Sequence, residues 1–233
     1  MATATAVSPT SDPTEGRIVF PGVDWGRYEK MLQVVGDRRV HVTYDEGTME
    51  VRTPSRRHKQ AAQLLGFFVV QVADELEFDF EPLGMTTWKR PDMEKGLEAD
   101  QCYYILHAAI VREREELDLE VDPPPDLAVE VDITSSSLDR MGIYADLRVP
   151  EVWRYDGRRL TMYRLDADGT YRICEASLSF PGLRPADVER FLEQGRTTPK
   201  RQWAREIRDF VRAELLPRQD APEGPDGGGP APA

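Results

Sequence analysis

The chain has 233 residues, with 42 acidic against 30 basic side chains and a formal charge of −12. That balance argues against a protein wrapped non-specifically on nucleic acid, because counterion release needs clustered Lys and Arg. It leaves open a small basic face on an acidic body, or acids that hold divalent cations.

The ends differ from the middle. Residues 1–16 are rich in Ala, Thr, Ser and Pro, and the stretch "APEGPDGGGPAPA" closes the sequence, so 1–16 and 218–233 are expected to be disordered. Between them, 17–197 is expected to fold as one domain, followed by a basic amphipathic helix over 198–217. No stretch reaches the roughly 18 apolar residues of a membrane span, and the start lacks a signal-peptide pattern. The two cysteines have neither metal nor redox spacing. A cytoplasmic protein with no membrane partner is expected.

In chain order, "WGRYEKMLQVVGD" (25–37) has the apolar spacing of a short helix. "RRVHVTYDEGTMEVRTP" reads as a hairpin turning at Asp45-Glu46-Gly47, with Val40, Val42 and Tyr44 alternating on one strand and Met49 and Val51 on the other. His41 in this hairpin is expected to be exposed or half-packed. A long apolar helix follows over 55–76, with Ser55 as its cap. Strand patterns appear at 78–90 and 99–108, joined by a charged connection at 91–98. "DLAVEVDI" (126–133) has the near-continuous apolarity of a buried strand, and "SLDRMGIYADLR" (137–148) has a helical apolar face. Ser136 or Ser137 is the expected cap of that helix. Strands turning at Asp156-Gly157, a further strand, a helix stopped by Gly195 and the basic helix complete the pattern. Helices and strands mix without strict alternation, so the expected fold is α+β, a mixed central sheet with flanking helices and an N-terminal β-hairpin.

Three acids stand where a core would exclude them. Asp100 enters an apolar strand, while Glu130 and Asp132 share one face of "LAVEVDI" by the two-residue strand period. Burying unpaired carboxylates costs several kcal/mol, so they call for a counter-charge. A hard divalent cation such as Mg²⁺ is the natural one. The plain alternative is an edge strand whose acids are wet.

"GLEADQCYYI", "PDLAVEVDITSSS" and "VPEVWRYDG", in this order and spacing, resemble the putative restriction endonuclease family of bacteria, a branch of the PD-(D/E)XK nuclease superfamily. The resemblance runs from about residue 28 to about 193. It implies a Mg²⁺-dependent endonuclease, with Mn²⁺ as a substitute, that hydrolyses DNA phosphodiester bonds and pairs as a homodimer. It further implies that Asp100 and Glu130 are the metal ligands and Asp132 an auxiliary acid. Arg140 stands four residues before Tyr144, where the family commonly has Lys. Arg keeps its proton at working pH, so Arg140 would be an electrostatic clamp and not a proton acceptor. His58 matches the start of the first family helix, with Lys59 where an acid is common. Lys59 and Lys89 are candidate substitutes for the missing amine, though each reads more simply as a solvated lysine. Two alternatives stay open: a nuclease-fold protein that binds nucleic acid or protein without cleaving, and a phosphodiesterase of small substrates.

Overall fold

A computed structural model describes residues 5–6, 16–36, 40–133 and 138–219 of the chain. Most of the two terminal segments expected to be disordered, and the Ser/Thr turn at 134–137, lie outside the described residues.

The first sheet grows from the hairpin. Strands β1 (Thr5–Ala6) and β2 (Gly16–Pro21) precede helix α1 (Trp25–Val35), which is capped by Asp24 and ends at Gly36 with φ 49°. β3 (His41–Asp45) and β4 (Thr48–Thr53) follow, with Glu46 and Gly47 at φ 40° and 91°, the left-handed pair that a two-residue hairpin turn demands. Val42 pairs with Val51 and Tyr44 with Met49, giving one apolar face on which Tyr28 of α1 stacks, 4.9 Å from the Tyr44 ring. The other face presents His41, Thr43, Glu50 and Arg52, none more than 4 % exposed. His41 is therefore not the exposed or half-packed strand residue expected: His58, Asp100 and Arg140 pack against this face.

Helix α2 (Arg56–Glu75) begins where Ser55 accepts the His58 amide at 3.1 Å. Strand β5 (Glu81–Pro82) and strand β6 (Thr87–Arg90) replace the single strand expected at 78–90. The stretch 91–98, expected as a connection, turns at Pro91–Met93 and returns as strand β7 (Lys95–Glu98), because Leu97 has a core to fill. The first sheet is antiparallel, in the order β1-β2-β4-β3-β7-β6.

After contributing β5 to a second sheet, the chain returns to that sheet from β7 at Ala99–Asp100. That sheet holds β5, β8 (Gln101–Tyr104), β9 (Leu127–Val131), β10 (Glu151–Tyr155), β11 (Leu160–Leu165) and β12 (Tyr171–Cys174), in the order β12-β11-β10-β9-β8-β5. It is mixed, with β9 and β10 parallel. The short helix α3 (Ala108–Val111) lies between β8 and β9. Helix α4 (Arg140–Asp146) is capped by Asp139, which accepts the Gly142 amide at 3.0 Å, rather than by the serines expected.

Every residue of β9 is buried, and its side chains alternate between two cores. Leu127, Val129 and Val131 pack with α2, α5 (Pro185–Thr197) and α6 (Lys200–Phe210), while Ala128 packs with Ile143 and Tyr144 of α4. Gly195 does not stop α5. It lies inside the helix because a side chain there would meet the Trp203 ring at 2.9 Å. Trp203, Ile207 and Phe210 bury the apolar face of α6 in the same core as α2 and the sheet. The fold is α+β, with the strands sorted into two sheets around a buried polar layer. Among the described residues no helix is long and apolar enough to cross a membrane.

Gly96 fixes how closely α1 approaches the hairpin, since a methyl group there would sit 2.8 Å from Cζ of Tyr28. Gly96→Ala is expected to lower the unfolding free energy by about 1–3 kcal/mol through overpacking. Urea denaturation checks this; an unchanged midpoint would contradict the packing described.

Candidate active site

The polar layer centres on two carboxylates. Gln101 pairs with Val129 and Cys102 with Ala128, so one further step along the same register sets Asp100 opposite Glu130. Cross-strand neighbours share a sheet face, with Cβ atoms about 4.5–5.5 Å apart in a regular ladder. Both residues are buried, at 5 % and 4 % exposure.

Asp100 is held on both oxygens. Oδ2 accepts the Val131 amide at 2.8 Å, and Oδ1 lies 2.7 Å from Nε2 of His58 and 3.5 Å from Nε2 of His41. His58 stands in the first turn of α2 and His41 at the start of β3, so three separate elements converge here. Ligand atoms of His41, His58 and Asp100 all lie within 4.8 Å of one another. Burial alone would raise the Asp100 carboxyl, but the hydrogen bond and charge of His58, with His41 and Arg52 behind, hold it well below the usual carboxylate range. Burial pushes the His41 imidazole down to about 4; the Asp100 charge opposes that shift, and Arg52, Arg140 and His58 reinforce it. A neutral imidazole is the form that ligates a metal.

Glu130 has different partners. Its Oε1 accepts from Nη2 of Arg140 and from the Tyr144 hydroxyl, which lie one helical turn apart on α4. The same Arg140 Nη2 donates to the Glu98 carbonyl at 2.7 Å, and Nη1 donates to Thr43. Arg140 thus joins the end of β7 and the hairpin to β9 of the second sheet. Burial raises the Glu130 carboxyl and the nearby Asp100 charge adds to this, while Arg140 pulls the other way. Arg140 keeps its charge throughout.

A cleft of about 710 Å³ runs along α2 and reaches this centre. His41, His58, Lys59 and Asp100 line it, and so do Phe67 and Met85, which are 54 % and 45 % exposed.

A family model described as Putative restriction endonuclease, Uma2, matches residues 25–200. The chain belongs to the Uma2 family. No curated protein matches it. Membership supports a nuclease of restriction-endonuclease-like fold.

Within this Uma2 chain the structure brings together Asp100, Glu130, Arg140 and His58 from the residues singled out by sequence. Asp132 turns instead to Arg154 on β10, which donates to its Oδ2. Lys59 lines the cleft one residue beyond His58. Lys89 lies away from it, exposed and paired with Glu29 at 3.3 Å. Sequence reasoning missed His41, Arg52 and the Tyr144 hydroxyl. The available signal was the hairpin's second face, where His41, Thr43, Glu50 and Arg52 alternate with the apolar residues.

The sign of the pH dependence follows from His41. Folded, it takes a proton only near pH 4, whereas its ordinary value is 6.5. The unfolded chain therefore binds more protons between these values, so stability is complete above 6.5 and falls as the pH drops toward 4. Asp100, with its lowered carboxyl, extends the loss to still lower pH. In chelator-treated protein, the unfolding free energy is expected to be lower at about pH 5 than at about pH 7, and His41→Asn is expected to flatten the difference. Equal slopes for the two proteins would contradict a buried neutral His41.

Proposed function

We propose that this Uma2 protein is a divalent-metal-dependent endonuclease that hydrolyses DNA phosphodiester bonds, with Asp100, His58 and His41 holding the metal beside Glu130. The carrying observation is the convergence of two imidazoles and one carboxylate within 4.8 Å, buried yet open to a cleft. These donors fit a divalent metal. Mg²⁺, the ion expected from sequence, prefers oxygen ligands, and the two imidazoles shift the preference toward Mn²⁺ or another first-row cation. When bound, such a metal neutralises charge building on the phosphoryl oxygens and lowers the pKa of an attacking water.

The chain's own residues supply the rest. Asp100 stays ionised, and the Val131 amide fixes its orientation. Glu130, raised by burial, can accept a proton that Arg140 cannot. Arg140 and Tyr144 position that carboxyl. Lys59, on the cleft wall, is suited to contact a substrate phosphate, and the exposed Phe67 offers a face on which a base can stack.

One observation favours a second reading, in which the protein binds nucleic acid or protein without cutting. Glu130 is closed off by Arg140 and Tyr144, leaving it fewer lone pairs for chemistry. A supercoiled-plasmid assay with Mn²⁺ or Mg²⁺ separates the two. Nicking is expected for the native protein, with a loss of at least roughly 100-fold in Asp100→Ala and His58→Ala and roughly 10–100-fold in His41→Ala. Plasmid retained and shifted but never nicked would favour the binding reading.

A further inference from the structure

Beside Glu130 lies a second cavity, of about 190 Å³, lined by Arg52, Glu130, Asp132, Asp139, Arg140 and Arg154, with Leu138 and Met141 and neither of the two histidines. Three of its lining residues carry a buried atom without a hydrogen-bond partner among the described residues: Nη2 of Arg52, Nε of Arg140 and Oδ1 of Asp132. Arg52 is 3 % exposed and Arg140 9 %. An unmet guanidinium N–H in the interior is costly, and two sharing one cavity are costlier still.

The acids there do not account for them. Glu130 is taken by Arg140 Nη2 and Tyr144, Asp132 by Arg154, and Asp139 by the Gly142 amide of the helix it caps. The two guanidinium N–H groups have no acceptor among the described residues, although Asp132, whose Oδ1 is also unpartnered, lines the same cavity. Its volume equals that of about six waters at roughly 30 Å³ each, which is ample for a tetrahedral oxyanion.

We propose that Arg52 and Arg140 form a phosphate subsite, their unpartnered N–H groups donating to the oxygens of a substrate phosphate group. This rests on the nuclease reading for the identity of the ligand, though not for the existence of the anion site. Guanidinium forks match phosphate oxygens in geometry and charge, which is why Arg serves such sites better than Lys. Arg52 stands directly opposite His41 in the β3–β4 ladder, so the hairpin carries a metal-side residue and a phosphate-side residue as one cross-strand pair. Asp132 Oδ1 is an acceptor and leaves a place for one donor, which a water molecule meets.

The test uses the full chain freed of metal by chelation and titrated calorimetrically with inorganic phosphate, then with dimethyl phosphate as a diester. Native protein is expected to bind both, and phosphate is expected to raise its melting temperature. Arg52→Met, similar in length and free of the buried charge, is expected to melt higher than native without phosphate. It should bind at least tenfold more weakly and show no phosphate-induced rise. Arg52→Lys, which keeps the charge but not the fork, is expected to lose binding partially and serves if the Met variant does not fold. Both variants are expected to retain the Mn²⁺ site, since neither removes a metal ligand. No anion binding by native protein, or binding equal in native and Arg52 variants, would overturn the subsite whether or not plasmid is cut. Arg52-dependent binding in a protein that never cuts would keep the subsite and remove the nuclease reading.

Discussion

The structure turns on the guanidinium of Arg140. It reaches Glu130 in one sheet, and Thr43 and the Glu98 carbonyl in the other, so a single buried cation ties together the two halves of the fold. Arg suits this position because its planar fork donates in several fixed directions and its charge survives burial. The cost is large, since a carboxylate and a guanidinium both lose their water. Hydrophobic residues of similar size would hold the sheets together at least as well. A buried pair of this kind is therefore better understood as a device for setting geometry than as a source of stability.

The same logic covers the whole polar layer. His41, His58, Asp100, Glu130, Arg52 and Arg140 are buried together, and several of their donors and acceptors have no partner among the described residues. A domain selected only for stability would not collect unmet polar atoms at its centre. The apolar shells on either side bear that cost: α2, α5 and α6 pack on one face of the second sheet, and α4 packs on the other. In this arrangement the β7-to-β8 crossing from first to second sheet falls at Asp100, so a carboxylate held on both oxygens sits where the chain changes sheets.

Much of the fold was legible in the sequence. The hairpin turn, the Ser55 cap and the buried character of 127–131 follow from local rules that tertiary packing did not override. Lys95–Glu98 was hidden because its charged ends and Gly96 look like a loop; only the partner strands and the Tyr28 ring explain them. Gly195 misled for the opposite reason, since close helix packing and a helix end both favour glycine. At the site, Asp100 and Glu130 stood out as acids among apolar neighbours. His41 and Arg52 did not, because polar residues alternating along a hairpin look the same in sequence whether they face water or a second buried layer. That ambiguity disappears only when the covering element is known.

The central claim is that two imidazoles and one carboxylate form a single cation site. Pulsed electron paramagnetic resonance on Mn²⁺ added to the purified protein tests it most directly, because nitrogen ligands leave a coupling that oxygen ligands do not. Couplings from two imidazole nitrogens are expected, with one lost in His58→Ala and one in His41→Ala. Bound Mn²⁺ with an all-oxygen shell, or couplings unaffected by both substitutions, would contradict the account.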